Sequence, residues 1–181
     1  GQSSGEISFE DPVYDFQTNC QSTLMLLDLA VKKQCSKFIY AGTMSVYGNP
    51  ALPMMAVSED HALAPLSFYA IGKIASEKYM RIYAETYSIQ TTSLRLFNVY
   101  GPGQNMSNFK QGMVSIFLAQ ALKAEPKIRV KGSLKRFRDQ VYIDDVVRAF
   151  LKAASFESQQ PFNAFNICTG VPTTVEEVVN E

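Results

Sequence analysis

The chain has no tryptophan and a single histidine, and its three cysteines are scattered. That histidine, His61, sits in a polar stretch beside Glu59 and Asp60. One imidazole without clustered thiols offers no ligand set for zinc, so no metal is expected. Cys20, Cys35 and Cys168 are too few and too dispersed for a disulfide framework and fit a reducing, cytoplasmic setting. Net charge is absent: 17 Lys and Arg balance 17 Asp and Glu. No global field therefore favours nucleic acid or an acidic membrane surface. No apolar run approaches the ~20 residues of a membrane-spanning helix. Repeats and low-complexity tracts are missing too. What is present, 181 residues of which 46% are hydrophobic and 19% charged, suits one globular domain of ordinary size.

Along the chain, strand and helix patterns alternate. The start, "GQSSGEISFEDPVYD", reads as loop. Apolar positions Leu24, Leu27 and Val31, widened by Met25 and Leu29, predict a helix over 16–33. "KFIYAG" (37–42) is a short apolar run ending at glycine, as in a buried strand. A polar, proline-containing segment (49–66) precedes a helix over 67–87. "TTSLRLFNVYG" (91–101) is β-branched and apolar, a helix covers 110–123, and "KIRVKG" (127–132) reads as a strand. "IDDVVRAFLKAA" (143–154) predicts a helix and "FNAFNICTG" (162–170) a strand and turn. A last helix starts in "TTVEEVVNE", with Thr173 or Thr174 as its cap. This alternation implies an α/β fold with a parallel sheet covered on both faces. In such folds, ligands bind beyond the C-terminal strand ends.

Those ends carry chemistry. "KFIYAG" delivers Thr43, Met44 and Ser45; "LRLFN" delivers Phe97 and Asn98. Between them, "SFYAIGK" opens a helix with Tyr69 and Lys73 four apart, hence on one face. An ammonium beside a phenol favours the phenolate and lowers a pKa that starts near ~10. Such a pair can move protons near neutral pH, although the same spacing also occurs in idle surface pairs.

Taken together, these segments resemble the extended short-chain dehydrogenase/reductase family, in particular its nucleotide-sugar epimerases and dehydratases. "FIYAGTMSVYGN" resembles the family's strand ending in Ser/Thr before a V-Y-G turn. "EDHALAPLSFYAIGKIASEKY" is similar to its acidic loop and YxxxK helix. "LRLFNVYGPGQ", "RDQVYIDDVVRAF", "FNICTG" and "SFEDPVYDFQTNCQSTLMLLDLA" resemble further blocks in the family's order. The resemblance implies the C-terminal part of a Rossmann-like doubly wound parallel sheet, with a small substrate-binding α/β portion. Residues 1–101 would form the second half of an NAD-binding domain. Residues 102–181 would be mostly substrate-binding, with 139–170 returning to the main sheet. The family's opening Gly-rich turn, which brings the pyrophosphate onto a helix N-terminus, has no counterpart here. The expectation is a fragment lacking about 80–90 N-terminal residues, some three βα units of ~30 residues each, that binds NAD poorly by itself.

What the resemblance implies for residues is specific. Tyr69 matches the catalytic base, Lys73 its partner on the nicotinamide ribose, and Thr43 the hydroxyl on the reacting oxygen. Asn19 and Phe97 match cofactor contacts. Asn98 and Arg138 match contacts to the nucleotide-sugar diphosphate, and Ser45 could bond the sugar. Arg138 could equally pair with Asp139 or Asp144, and Asn19 could serve only a local helix-start bond. The dehydratases place acidic residues where Met44 and Ser45 stand, and neither of these can act as acid or base. The implied function is therefore an NAD-dependent nucleotide-sugar epimerase, an isomerase that removes and returns hydride at a sugar carbon, C4 by expectation. Alternatives are a dehydratase or reductase of the same family, or a non-catalytic scaffold that keeps the fold. The family's dimers imply a homodimer through the helices at 16–33 and 67–87.

Overall fold

The computed structural model describes residues 2–49, 56–110, 112–123 and 127–181. Helices α1 (Gly5–Ser8) and α2 (Pro12–Phe16) run through a π-helical turn, Gln17–Gln21, into α3 (Ser22–Lys32). Strand β1 (Lys37–Thr43) ends in a 3-10 turn, Met44–Tyr47, and is followed by α4 (Phe68–Tyr87), β2 (Gln90–Leu96) and β3 (Asn98–Tyr100). Then come α5 (Met113–Ala121), β4 (Phe137–Tyr142), α6 (Ile143–Ser155), β5 (Phe162–Ile167), β6 (Pro172–Thr174) and α7 (Val175–Asn180). The main sheet is β1-β2-β5, all parallel. A second sheet, β3-β4-β6, pairs β3 parallel and β6 antiparallel to β4. Among the described residues no helix is long and apolar enough to cross a membrane.

Several boundaries differ from the sequence pattern. The opening stretch is not all loop: Ser4 Oγ caps α1, and Asp11 caps α2 with a proline in its first turn, the position where proline's missing N–H costs nothing. The helix expected from residue 16 thus starts at Pro12. The strand expected over 91–101 breaks at Phe97, and its two parts join different sheets. Residues 127–132 form no strand; Arg129 N–H donates to the Gln120 side-chain carbonyl at 2.6 Å. The return to the main sheet is not the whole of 139–170, because residues 139–142 belong to the second sheet and only β5 pairs with β2. Of the polar segment 49–66, residues 50–55 lie outside the described residues, and 56–66 form neither helix nor strand. Thr174 caps α7 in a reciprocal box with Glu177, two orphan N–H groups satisfied together.

Helix α4 sets the geometry of the strand ends. Ser67, in extended backbone, accepts a bond from Ala70 N–H at 3.1 Å and starts it; Ser88, at φ 56°, ends it. Its buried residues include Tyr69, Gly72, Ser76, Met80 and Ala84, a helical stripe facing inward. Met80 meets Leu27 and Tyr40 in the main core cluster, flanked by Phe38, Tyr83 and Phe162. Burying one such aliphatic side chain contributes ~1.5–3 kcal/mol.

The same helix face carries a charge. Glu77 and Arg95 are 4% and 6% exposed and form a two-pronged pair, Nη2 to Oε2 at 2.8 Å and Nε to Oε1 at 3.0 Å. Ser93 Oγ adds a bond to Oε1 at 2.7 Å, and Arg95 Nη1 reaches the Tyr47 hydroxyl at 2.7 Å. Burial weakens the guanidinium's hold on its proton, but the bonds to Glu77 and then to Tyr47 outweigh it and raise the Arg95 pKa. Gly42 of β1 lies against this network: a Cβ there would fall 2.5 Å from Ser93 Oγ and 3.1 Å from the Leu94 carbonyl.

Removing one partner of a buried pair strands the other. Glu77→Gln is expected to destabilise the fold by about 3–5 kcal/mol in urea denaturation. The double variant Glu77→Leu/Arg95→Met is expected to recover part of that loss, because it leaves no buried charge unpaired.

Candidate active site

At the C-terminal end of β1, the chain leaves the sheet at Thr43, whose Oγ1 accepts from Ser45 N–H at 3.2 Å and so starts the 3-10 turn. The same buried hydroxyl stands close enough to the Tyr69 phenol to draw its pKa down. Tyr69 is 7% exposed, at the first turn of α4. Burial pushes its pKa up, the Thr43 hydroxyl opposes this, and the Asp15 carboxylate pushes it further up.

Lys73 lies one turn on, half-buried. Its Nζ donates to the Ala41 carbonyl at 3.0 Å and stands 4.6 Å above the Tyr40 ring and 5.6 Å from the Tyr69 ring centre. Burial pulls its pKa down to about 8, against the pull of Asp15 and then Glu77. The expected depression of the Tyr69 pKa by Lys73 is therefore not the resting arrangement. The ammonium is turned to a β1 carbonyl, and the phenol's surroundings are dominated by loss of water. Of the three N–H groups of an ammonium, one is used on Ala41.

Asn19 sits on the π-helical turn, buried behind α4. Its Nδ2 donates to the Gln2 carbonyl at 2.8 Å and to Asp15 Oδ1 at 3.0 Å. Its backbone carbonyl accepts from the Thr23 and Ser76 hydroxyls, tying the turn to α4. π-Turns of this kind concentrate at functional sites.

Beside this cluster is a cavity of about 570 Å³, whose lining includes Met44, Tyr47, Phe97, Asn98, Arg136 and Arg138. That volume lies within the usual range of small-molecule sites. Asn98 Nδ2 donates to the Asp139 carbonyl at 3.1 Å. Arg138 has no carboxylate partner among the described residues; its Nη1 bonds the Phe137 carbonyl at 2.8 Å. The adjacent Asp139 is committed elsewhere, to the Thr169 N–H and hydroxyl and the Gly170 N–H at 2.7–2.9 Å. Burial, then the neighbouring Arg136 guanidinium, lower the Arg138 pKa. Ser45 is not among the lining residues; its neighbour Met44 is.

The structure thus brings Thr43, Tyr69 and Lys73 together at one strand end, and Phe97, Asn98 and Arg138 around the cavity that Met44 shares. Asp15 and the Arg95–Glu77 pair join the surroundings without a distinguishing sequence signal, whereas Arg136 belongs to the basic segment 130–140, for which a phosphate-facing surface is one reading. Asp15 is one turn before Asn19, and that i, i+4 spacing is the trace it leaves. No cluster of His, Cys, Asp and Glu among the described residues is placed to hold a metal ion.

Comparison with known proteins agrees with this geometry. The family model described as "NAD dependent epimerase/dehydratase family" matches residues 1–168. The chain is 35% identical over 178 residues to the UDP-glucose 4-epimerase of Mycolicibacterium smegmatis, covering 98% of this chain and 55% of that protein. Its fold is similar to the Thermotoga maritima UDP-glucose 4-epimerase with UDP-glucose, at TM-score 0.91, 35% identity and coverage of 99% and 57%. The Thermus thermophilus UDP-glucose 4-epimerase in complex with NAD gives 0.87, 32%, 99% and 58%. The chain spans about half the length of the curated relatives it matches.

The depressed Lys73 pKa has a stability consequence with a definite sign. Between about pH 8 and 10.5 the unfolded chain keeps a lysine proton that the folded chain has released. Stability attributable to Lys73 therefore rises with pH across that window. Lys73→Met is expected to raise the urea midpoint at pH 7, with a gain that shrinks from pH 8 upward. An equal gain at neutral and at strongly alkaline pH contradicts the assignment.

Proposed function

The chain belongs to the NAD-dependent epimerase/dehydratase family, and on that premise we propose that it is the catalytic portion of a nucleotide-sugar 4-epimerase that uses NAD. The observation that carries the reading is a buried tyrosine phenol beside the Thr43 hydroxyl, with a lysine Nζ on the next turn of the same helix 5.6 Å from its ring centre. A surface pair with no task has no reason to be sunk at a strand end.

The residues present fit the nicotinamide end of the cofactor. Lys73 keeps ammonium N–H groups beyond the one on Ala41 for ribose hydroxyls, and Phe97 offers a ring at the cavity wall. Asn19 remains a proposed contact through its carbonyl side, since its amide nitrogen is engaged within the protein. When bound, NAD supplies the hydride acceptor and, as a cation, a positive charge that favours the phenolate.

Tyr69 then takes the proton from the sugar hydroxyl as hydride leaves the same carbon. Thr43, beside the phenol, would hold the reacting oxygen in line. Lys73 stabilises the negative charge on the deprotonated phenol. In the return half of the reaction Tyr69 would give the proton back to the same sugar oxygen. Arg138, without a carboxylate partner at the cavity, suits the substrate diphosphate, for which a fixed guanidinium fork is well matched; Asn98 supports it. We keep Ser45 as a sugar contact only on an approach from the turn, since it is off the cavity wall.

Elimination of water needs a further acid and base near Thr43. Met44 is there instead, its sulfur 3.5 Å from Asn98 Nδ2, so epimerisation is favoured over dehydration. The dimer we propose uses α3 and α4. These helices pack on each other, and Met25, Leu26, Leu29, Ile71 and Ile82 are each at least half exposed, an apolar face that a second copy would cover. Three free thiols suit a cytoplasmic location.

The test is Tyr69→Phe in the full-length protein with UDP-, GDP- and dTDP-sugars and product analysis. Interconversion of C4 epimers is expected to fall by ~10²–10⁴, the usual contribution of a general acid–base group, while bound NAD is retained. Full activity in the variant would sink the reading and favour a scaffold.

A further inference from the structure

Asp15 has no part in the mechanism above, yet it is 1% exposed. Its Oδ1 accepts from Gln2 Nε2 at 2.7 Å and from Asn19 Nδ2 at 3.0 Å. Its Oδ2 is buried and has no hydrogen-bond partner among the described residues. A methyl built on Gly72 would sit 3.8 Å from that oxygen. The free oxygen therefore abuts α4 on the turn between Tyr69 and Lys73. A buried carboxylate oxygen without a partner is costly, and folds keep such groups where they do something.

Lys73 presents the complementary problem, a cation drawn out of water with one carbonyl for company. The groups facing it come from every packed element. From β1 there are the Ala41 carbonyl and the Tyr40 ring. From α4 there are Tyr69 and Glu77, and from α2 there is Asp15. Thr43, the last residue of β1, adds a neutral hydroxyl, and the π-turn carries no charged side chain. Glu6 of α1 is exposed, and Asp28 of α3 is exposed and paired with Lys32. Glu77 is bonded to Arg95, whose positive charge offsets its field at a distance. Asp15 has no cation of its own. It is the uncompensated negative charge that Lys73 faces.

Resting on the assignment of Tyr69 and Lys73 as the proton-transfer pair, we propose that Asp15 is a positioning residue that acts through Lys73. Its buried carboxylate holds the lysine as an ammonium on the turn beside Tyr69. The same charge opposes ionisation of Tyr69, so the resting site keeps a neutral phenol beside a charged lysine. A positive charge arriving with the cofactor would favour ionisation of the phenol, its proton passing to solvent. Gln2 and Asn19 keep Oδ1 occupied and so fix Oδ2 toward α4.

The test follows Lys73 itself. In the full-length protein, competitive acetylation read by mass spectrometry gives the Lys73 titration midpoint, with Lys32 and Lys78 as internal references. Asp15→Asn, which preserves shape and an acceptor at Oδ1, is expected to lower the Lys73 midpoint by about one pH unit or more, leaving the references unmoved. The alkaline limb of the kcat/KM profile should move down with it. An unmoved midpoint overturns the proposal, as does a rate loss that is equal at all pH values. If Asp15→Asn does not fold, the wild-type Asp15 carboxyl carbon resonance decides. An inflection near pH 8, shared with Lys73, supports the coupling, and a flat trace there overturns it. Tyr69→Phe with full activity would remove the acid–base reading, whereas the Lys73 midpoint speaks to Asp15 alone.

Discussion

A guanidinium and a carboxylate held together out of water fix α4 against β2, and the arrangement at the strand ends depends on them. Buried ion pairs add little net stability, because desolvation consumes most of the attraction. What this pair contributes is orientation. The planar fork of Arg95 accepts one rotational setting of Glu77. Glu77 is four residues from Lys73 and eight from Tyr69, so all three share one face of the helix. Fixing Glu77 against Ser93 and Arg95 therefore fixes the angle at which Tyr69 meets Thr43. The Tyr47 hydroxyl extends the clamp: it accepts from Arg95 and donates to Asn166 Oδ1 at 2.7 Å, joining the 3-10 turn after β1 to β5. The V-Y-G turn is thus a bolt across the three-stranded sheet.

Against that rigid frame, the strand end carries an electrostatic conflict. Tyr69 and Lys73 both lose water, and each is pushed toward its neutral form. Groups whose charged forms are disfavoured at rest gain most when a ligand of the right charge arrives, because low-dielectric surroundings strengthen every interaction. The cost appears in the fold, as it commonly does at functional sites. Asp15, Asn19, Ser76 and Glu77 occupy interior positions that apolar side chains would fill more cheaply.

This inversion explains how much could be read from the sequence. The strand β1, helix α4 and the Thr43–Tyr69–Lys73 spacing follow from local patterns, since i, i+4 geometry and a terminal glycine are short-range facts. The helix after Asp11 is a different case. Its apolar residues Met25, Leu26 and Leu29 are at least half exposed, while Asp15, Asn19 and Thr23 are buried. A periodicity argument assumes that the apolar stripe faces the core, and here polar residues of the site took that face for part of its length. Leu27 and Ala30, further along, do face inward. The strand expected at 127–132 failed for a related reason. Alternation supplies strand propensity, but a strand exists only where a partner edge is available, and β4 found its partners in β3 and β6. Arg95 carried no local sign of its pairing with Glu77, 18 residues away in the chain.

The cavity and the strand-end cluster solve opposite problems with neighbouring residues. On the cavity side, Arg136 and Arg138 both line the wall and the Arg136 charge lowers the Arg138 pKa, while Asp139 is committed to the 169–170 loop. Like charges held together in a partly dry cavity are tolerated where an anion is to be received, and they repel a cation. On the strand-end side, the Asp15 carboxylate lies behind the helix, where it can bias Lys73 without meeting an incoming diphosphate. Met44 stands between the two regions with no charge to add. A chain with no net charge thus places Arg136 and Arg138 at the cavity wall, where the Asp139 carboxylate is committed to the 169–170 loop, while Asp15 is sealed beneath α4. That segregation, rather than composition, gives the site its polarity.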